Sequence, residues 1–151
     1  MSRQGLLVVA VAVILGATAP RTDAQEFRRY VAPRTAVDAT LPPYSGAVQV
    51  GNTLYLSGDT GTDANNQIPS TPEAEATLLL DNIQKRLKDA GFTMDDLVTV
   101  TVYCSDVKYY DSFNKVYRTY FKKEFPARAF VGAGTLLFNA RFEMQGIAVK
   151  R

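Results

Sequence analysis
Two charged residues stand where the flanking pattern is apolar. Arg128 lies in the run ARAFVGAG after Phe125-Pro126, and Glu143 lies fifteen residues further on, in the closing run RFEMQGIAV. A guanidinium and a carboxylate in core-type strands need a ligand or each other, because burying unpaired charge is costly. Arg128 has the planar fork that grips a carboxylate with two parallel hydrogen bonds. Glu143 has the acceptor that positions or activates a water. A structural ion pair between them is the competing reading.

Composition removes most other chemistry. The 151-residue chain has no histidine and one cysteine, Cys104. A Ser-His-Asp triad, a Cys-His pair and a His-ligated zinc are therefore excluded, as is an intrachain disulfide. Cys104 alternates with Val98, Val100 and Val102, so it reads as a buried structural thiol. Neither a phosphate-binding loop nor a dinucleotide glycine fingerprint occurs. What remains is Arg, Glu, Asp, Tyr and backbone chemistry.

The elements that must position this pair begin after a leader. Arg3 precedes an unbroken small and apolar stretch over residues 5–19, and Thr22-Asp23-Ala24 offers a small-residue cleavage site. That pattern predicts a secretory signal peptide over residues 1–24, cut after Ala24, and an exported protein, periplasmic or secreted. The apolar run is short for a membrane span, so no stable membrane association is expected. Residues 25–151 then form one domain. They carry fifteen basic and fourteen acidic side chains, a net charge of +1 with no general pull on nucleic acid, and no nucleic-acid partner is expected.

Within this domain, residues 27–32 predict a short strand. Residues 46–50 and 53–57 flank Gly51-Asn52 as a hairpin. Residues 58–70 read as a polar loop. Thr71-Pro72 opens a helix with Ala76, Leu79, Leu80, Ile83, Leu87 and Ala90 at helical spacing, stopped by Gly91. Residues 97–104 alternate, with Val98, Val100, Val102 and Cys104 assigned to one face. Residues 109–121 predict a second amphipathic helix with Phe113, Val116, Tyr117 and Tyr120 in its stripe. Strands over 127–133 and 141–149 close an α/β sandwich, a mixed sheet with two helices on one face. Apolar groups on both sheet faces predict a homo-oligomer with ligand sites in clefts between subunits.

Several segments carry a family resemblance. PPYSGAVQVGNTLYLSGDTG resembles the N-terminal hairpin of the RidA/YjgF family, and FPARAFVGAGTLLFNARFEMQGIAVKR resembles its closing segment. LKDAGFTMDDLVTVTVY and SFNKVYRTYF are similar to the elements between. The resemblance covers almost all of residues 25–151. It implies a chorismate-mutase-like fold and a homotrimer with small-molecule sites between subunits. The implied activity is hydrolytic deamination of reactive enamines and imines, 2-aminoacrylate-type 2-imino acids, to 2-oxo acids and ammonia. The resemblance implies no metal and no organic cofactor, which agrees with the Arg, Glu, Asp, Tyr and backbone chemistry that composition leaves.

By the same resemblance, Arg128 binds the substrate carboxylate and Glu143 holds the hydrolytic water. Tyr44 lines the pocket, Ser57 and Gly58 bring backbone to the ligand, and Asn114 lies near the site. Each has a plainer reading: Tyr44 a turn aromatic, Gly58 a positive-φ position, Asn114 a local backbone partner. Phe130 stands where the family often has cysteine, which reshapes the substrate pocket. Asp59 replaces a common glutamine and is expected to repel a second acidic group on the substrate. A non-catalytic trimer that binds 2-oxo acids is the main alternative, ahead of RNA-directed or chaperone-like roles.

Overall fold
The computed structural model describes residues 28–32 and 39–150. The expected leader over residues 1–24 and the first residue of the expected first strand, Phe27, lie outside the described residues. Among the described residues no helix is long and apolar enough to cross a membrane.

The first strand, β1, spans Arg28–Val31. Strands β2 (Ala47–Val50) and β3 (Thr53–Thr60) pair antiparallel across the Gly51-Asn52 turn, where Gly51 has φ 57°. That conformation penalises any residue with a Cβ, which explains glycine there. Helix α1 covers Pro72–Asp89. The Thr71 side chain accepts a hydrogen bond from the Ala74 N–H at 3.2 Å, and Pro72 occupies the first turn, where its missing N–H is harmless. Gly91, at φ 81°, ends the helix. Strand β4 is Leu97–Cys104, helix α2 is Tyr110–Tyr117, and strands β5 (Ala127–Gly132) and β6 (Phe142–Val149) complete the sheet. The helix expected over 109–121 is thus a short α-segment flanked by 3-10 turns at Val107–Tyr109 and Arg118–Tyr120.

The six strands run in the order β1-β2-β3-β6-β4-β5. β4 and β5 are parallel and joined through α2; the other neighbours are antiparallel. Both helices pack on one face, where Leu79, Leu80, Ile83 and Leu87 of α1 and Phe113 of α2 meet Leu54, Val100, Val102, Phe142 and Met144 of the sheet. Cys104 is fully buried in this layer, as its alternation predicted. The α/β sandwich read from the pattern is the fold observed.

Two local expectations need correction. Val98 does not share the buried face with Val100 and Val102; it is 47% exposed, and Leu97 is buried in its stead. A register shift against β6 between Leu97 and Thr99 breaks the alternation there. The segment from Gly58 is likewise not yet loop, because β3 runs on to Thr60 past an irregularity between Leu56 and Asp59. Pairing with β6 extends the strand, and a sequence window cannot see that partner.

One buried charge ties the layers together. Glu75, in the first turn of α1, is fully buried. Its carboxylate accepts from the backbone N–H groups of Arg141 and Phe142, and from Arg141 Nη1 at 2.7 Å. Arg141 also donates to the carbonyls of Pro69 (3.1 Å) and Ser70 (3.0 Å), just before the helix. This arrangement fixes the start of β6 against the start of α1. Removing one partner strands the other charge: Arg141→Ala is expected to destabilise the fold by about 3–5 kcal/mol. Urea unfolding of Arg141→Ala beside Arg141→Lys measures this, and an unchanged midpoint for both would remove Glu75 as an anchor.

Candidate functional site
Alternation along the strands decides where each charged residue points. Arg128 and Phe130 on β5 lie opposite Val100 and Val102 of β4, so they face the helices. Glu143 lies opposite Tyr103, between Phe142 and Met144, so it faces the open side of the sheet. β4 separates the two strands. The two residues therefore sit on opposite faces of one sheet and form no ion pair. The direct-pair reading fails on geometry.

Arg128 is half-buried among the rings of Tyr110, Phe113, Tyr117 and Phe130, with its guanidinium carbon 4.7 Å from the Tyr117 ring centre. Its Nη2 donates to Asn114 Oδ1 at 2.7 Å, while Nη1 is buried with no acceptor among the described residues. Asn114 thus orients the arginine; its amide oxygen is not spent on the helix backbone. Arg128, Asn114, Tyr117 and Phe125 line a small cavity of roughly 150 Å³. The Tyr117 hydroxyl is pushed up to about 12 by burial, against the pull of the Arg128 charge. Phe130 does not line that cavity. It packs edge-on against Tyr110 (5.0 Å between centres) and Phe113 (5.6 Å), so its role here is to wall in Arg128.

The other expected residues gather around Glu143. Tyr44, Ser57, Gly58 and Glu143 line one cavity of roughly 460 Å³, together with Asp59, Arg86, Leu137 and Phe138. Gly58 does not adopt a positive φ. Its missing side chain matters for space, since a Cβ there would collide with the Glu143 carboxylate. The Ser57 hydroxyl donates to the Ser45 carbonyl. Tyr44 stands 53% exposed at the mouth. The Glu143 carboxylate has no hydrogen-bond or ion-pair partner among the described residues. Burial raises its pKa above the usual carboxylate range, and the nearby Asp59 charge adds to the rise.

Asp59 itself is not a free charge. It forms an ion pair with Arg86 of α1 and accepts from Asn82 Nδ2 at 3.5 Å. Burial raises the Asp59 pKa, and Arg86 and Asn82 oppose that rise. The expected repulsion of acidic substrates by Asp59 is therefore largely neutralised within the chain. Sequence reasoning missed Arg86, because a lone arginine on the outer part of an amphipathic helix resembles any solvated charge. It missed Glu75 too, although the spacing of Glu75 to Leu79 places that carboxylate on the apolar stripe. Phe138 and Asn139 adopt left-handed φ of 58° and 56° in the loop beside Glu143. That conformation costs roughly 1–2 kcal/mol per residue that carries a Cβ.

In one chain, then, the carboxylate-binding candidates and the water-holding candidates form two separate clusters. Among the described residues, no group of His, Cys, Asp or Glu is arranged to hold a metal ion.

Comparison with known proteins places this geometry. The Endoribonuclease L-PSP family profile matches residues 34–150. The 2-iminobutanoate/2-iminopropanoate deaminase of Mus musculus is 36% identical over 124 residues, covering 81% of this chain and 92% of the relative. The Bos taurus protein of the same name is 40% identical over 114 residues, 74% of this chain and 83% of its own. Among solved structures, the E. coli YjgF gene product is 30% identical with a TM-score of 0.69, covering 72% of this chain and 89% of that one. E. coli TdcF with bound serine is 26% identical with a TM-score of 0.70, over 74% and 91%. With matches spanning almost the whole fold and both clusters, the chain belongs to the Endoribonuclease L-PSP family, which is the RidA/YjgF family that its motifs resemble.

Proposed function
We propose that the protein hydrolyses 2-imino acids and their enamine tautomers to 2-oxo acids and ammonia, at sites completed between subunits of a homotrimer. The carrying observation is a pair of charges with complementary needs: among the described residues, a guanidinium nitrogen without an acceptor at Arg128 and a carboxylate without a partner at Glu143, each lining a cavity. Lying on opposite sheet faces, they meet only if the Arg128 cluster of one copy abuts the Glu143 cluster of another. The open face, with Tyr55 and Val98 about half exposed, supplies apolar surface for such contact. Relatives named as imine deaminases and a related structure with bound serine support a small ligand bearing a carboxylate.

In this reading Arg128, oriented by Asn114 and enclosed by its aromatic ring, takes the substrate carboxylate. Glu143 accepts a hydrogen bond from the attacking water and holds it against C2. The water oxygen bonds to C2 as the imine nitrogen gains a proton. Collapse of the resulting carbinolamine breaks the C–N bond and forms the 2-oxo group. Both water protons leave on ammonia. The imine carbon is already electrophilic, so placement of one water supplies most of what the reaction needs.

Trapping of oxidase-generated 2-imino acids by semicarbazide tests the roles. Arg128→Ala is expected to lose about 10² to 10³ in kcat/KM, roughly 3–4 kcal/mol of transition-state binding. Glu143→Gln is expected to keep 2-oxo acid binding and lose turnover. Mixing the two inactive variants from the unfolded state should restore about a quarter of the wild-type sites if each site takes Arg128 and Glu143 from different copies. No restoration, with trimers present by ultracentrifugation, would refute the shared site.

The pH dependence follows first from the burial of Glu143, to which the Asp59 charge adds. Glu143 must be ionised to accept from water, so activity is expected to fall as pH drops through its raised pKa. Asp59→Asn removes a repelling charge, lowers the Glu143 pKa and shifts the acidic limb of the kcat/KM profile to lower pH. A limb that stays in place or moves upward would contradict this coupling.

A further inference from the structure
The cavity around Glu143 has two kinds of wall. Its floor is polar, with Ser57, Gly58 and the Glu143 carboxylate, and the adjoining Asp59 charge is matched by Arg86. Its rim is apolar: Leu137 is 68% exposed, Phe138 51% and Tyr44 53%. Leu137 and Phe138 contribute nothing to the buried core of the chain. Phe138 nevertheless holds a left-handed backbone conformation that is unfavourable for an aromatic residue. A strained, exposed, bulky side chain beside a carboxylate with no partner among the described residues is not explained by the packing of those residues.

We infer that Leu137 and Phe138 form the side-chain wall of the Glu143 cavity and select ligands with large apolar side chains, of the leucine- and phenylalanine-derived class, over short ones. The inference rests on the reading of Glu143 as the residue that meets the reacting carbon. With C2 held over the Glu143 carboxylate and the substrate carboxylate taken by Arg128 of another copy, the substrate side chain is the part left to reach the rim. The rim offers two aromatic rings and an isobutyl group. A short side chain would leave these in water, whereas a large apolar one covers them and is covered in turn. The neutralised Asp59–Arg86 pair adds no net charge to that wall, and Glu143 disfavours a second carboxylate there. The loop carries this wall close to Glu143 because only a few residues separate Phe138 from the start of β6.

The test has a binding arm and a kinetic arm, both on the intact oligomer. Calorimetry compares pyruvate, 4-methyl-2-oxopentanoate, phenylpyruvate and 2-oxoglutarate with wild type and Phe138→Ala. Imine trapping compares alanine-, leucine- and phenylalanine-derived substrates. Wild type is expected to favour the large apolar ligands by about tenfold or more, and Phe138→Ala to lose most of that preference, falling far more for phenylpyruvate than for pyruvate. A preference in binding without any hydrolysis would sustain the selectivity wall and sink the deaminase reading. Equal affinities in wild type, no binding of any 2-oxo acid, or an unchanged ranking in Phe138→Ala would each overturn the wall. So would dissociation of Phe138→Ala into monomers with a uniform loss of all ligands, since Phe138 would then be a subunit contact.

Discussion
Everything near the Glu143 cavity hangs on a buried carboxylate that does no chemistry. Glu75 takes the first two N–H groups at the entry to β6 and the Arg141 guanidinium, while Arg141 holds the carbonyls of Pro69 and Ser70. A charge in that position is tolerable only because its oxygens are filled by donors that cannot leave. The consequence is mechanical. The first turn of α1, the end of the preceding loop and the start of β6 become one rigid corner, and Glu143 is the second residue of that strand. In the proposed reaction, a carboxylate that holds one water at one carbon needs such a mount.

The second constraint is the two-residue period of a strand. Because β5 and β6 flank β4, their side chains are locked in phase with its alternation. Arg128 shares a face with Val100, and Glu143 shares a face with Tyr103. No side-chain rotation can move a residue through a sheet. In the proposed reading, putting both groups on one small ligand requires a second copy, and function is then a property of assembly. On that reading the single chain holds two half-sites, each with a hydrogen-bonding group unmet among the described residues, and the apolar open face supplies a reason for chains to associate.

The electrostatics of the two half-sites differ for the same reason. Arg128 is enclosed by rings and held by one amide oxygen, so its charge is presented in a poorly solvated setting where a carboxylate is worth most. Glu143 sits on a partly open floor, its ionisation held back by burial and by Asp59, with Arg86 limiting how far that second charge reaches. The same substitution of acid for amide at Asp59 would have been disruptive without an arginine one layer away on α1.

The α/β sandwich, the element order and the family were legible from residue pattern alone. Periodicity encodes which face of each helix is apolar, and Gly51, Pro72 and Gly91 mark boundaries through backbone constraints that need no tertiary partner. Arg128 and Glu143 stood out because charge in an apolar run is a local anomaly. What the strand windows could not contain was register. The shift beside Val98 and the extension of β3 past Gly58 arise from pairing with β6, distant in sequence, and so does the contact by which a side chain at Gly58 would displace the Glu143 carboxylate. Pairings such as Glu75 with Arg141 and Asp59 with Arg86 look like ordinary solvated charges until helix and sheet are brought together. Sequence alone thus determined which elements form and which residues are chemically unusual, since both depend on near neighbours along the chain. Only the tertiary structure decided which face each unusual residue occupies and what it can reach, since those depend on strand order and on the register of distant partners.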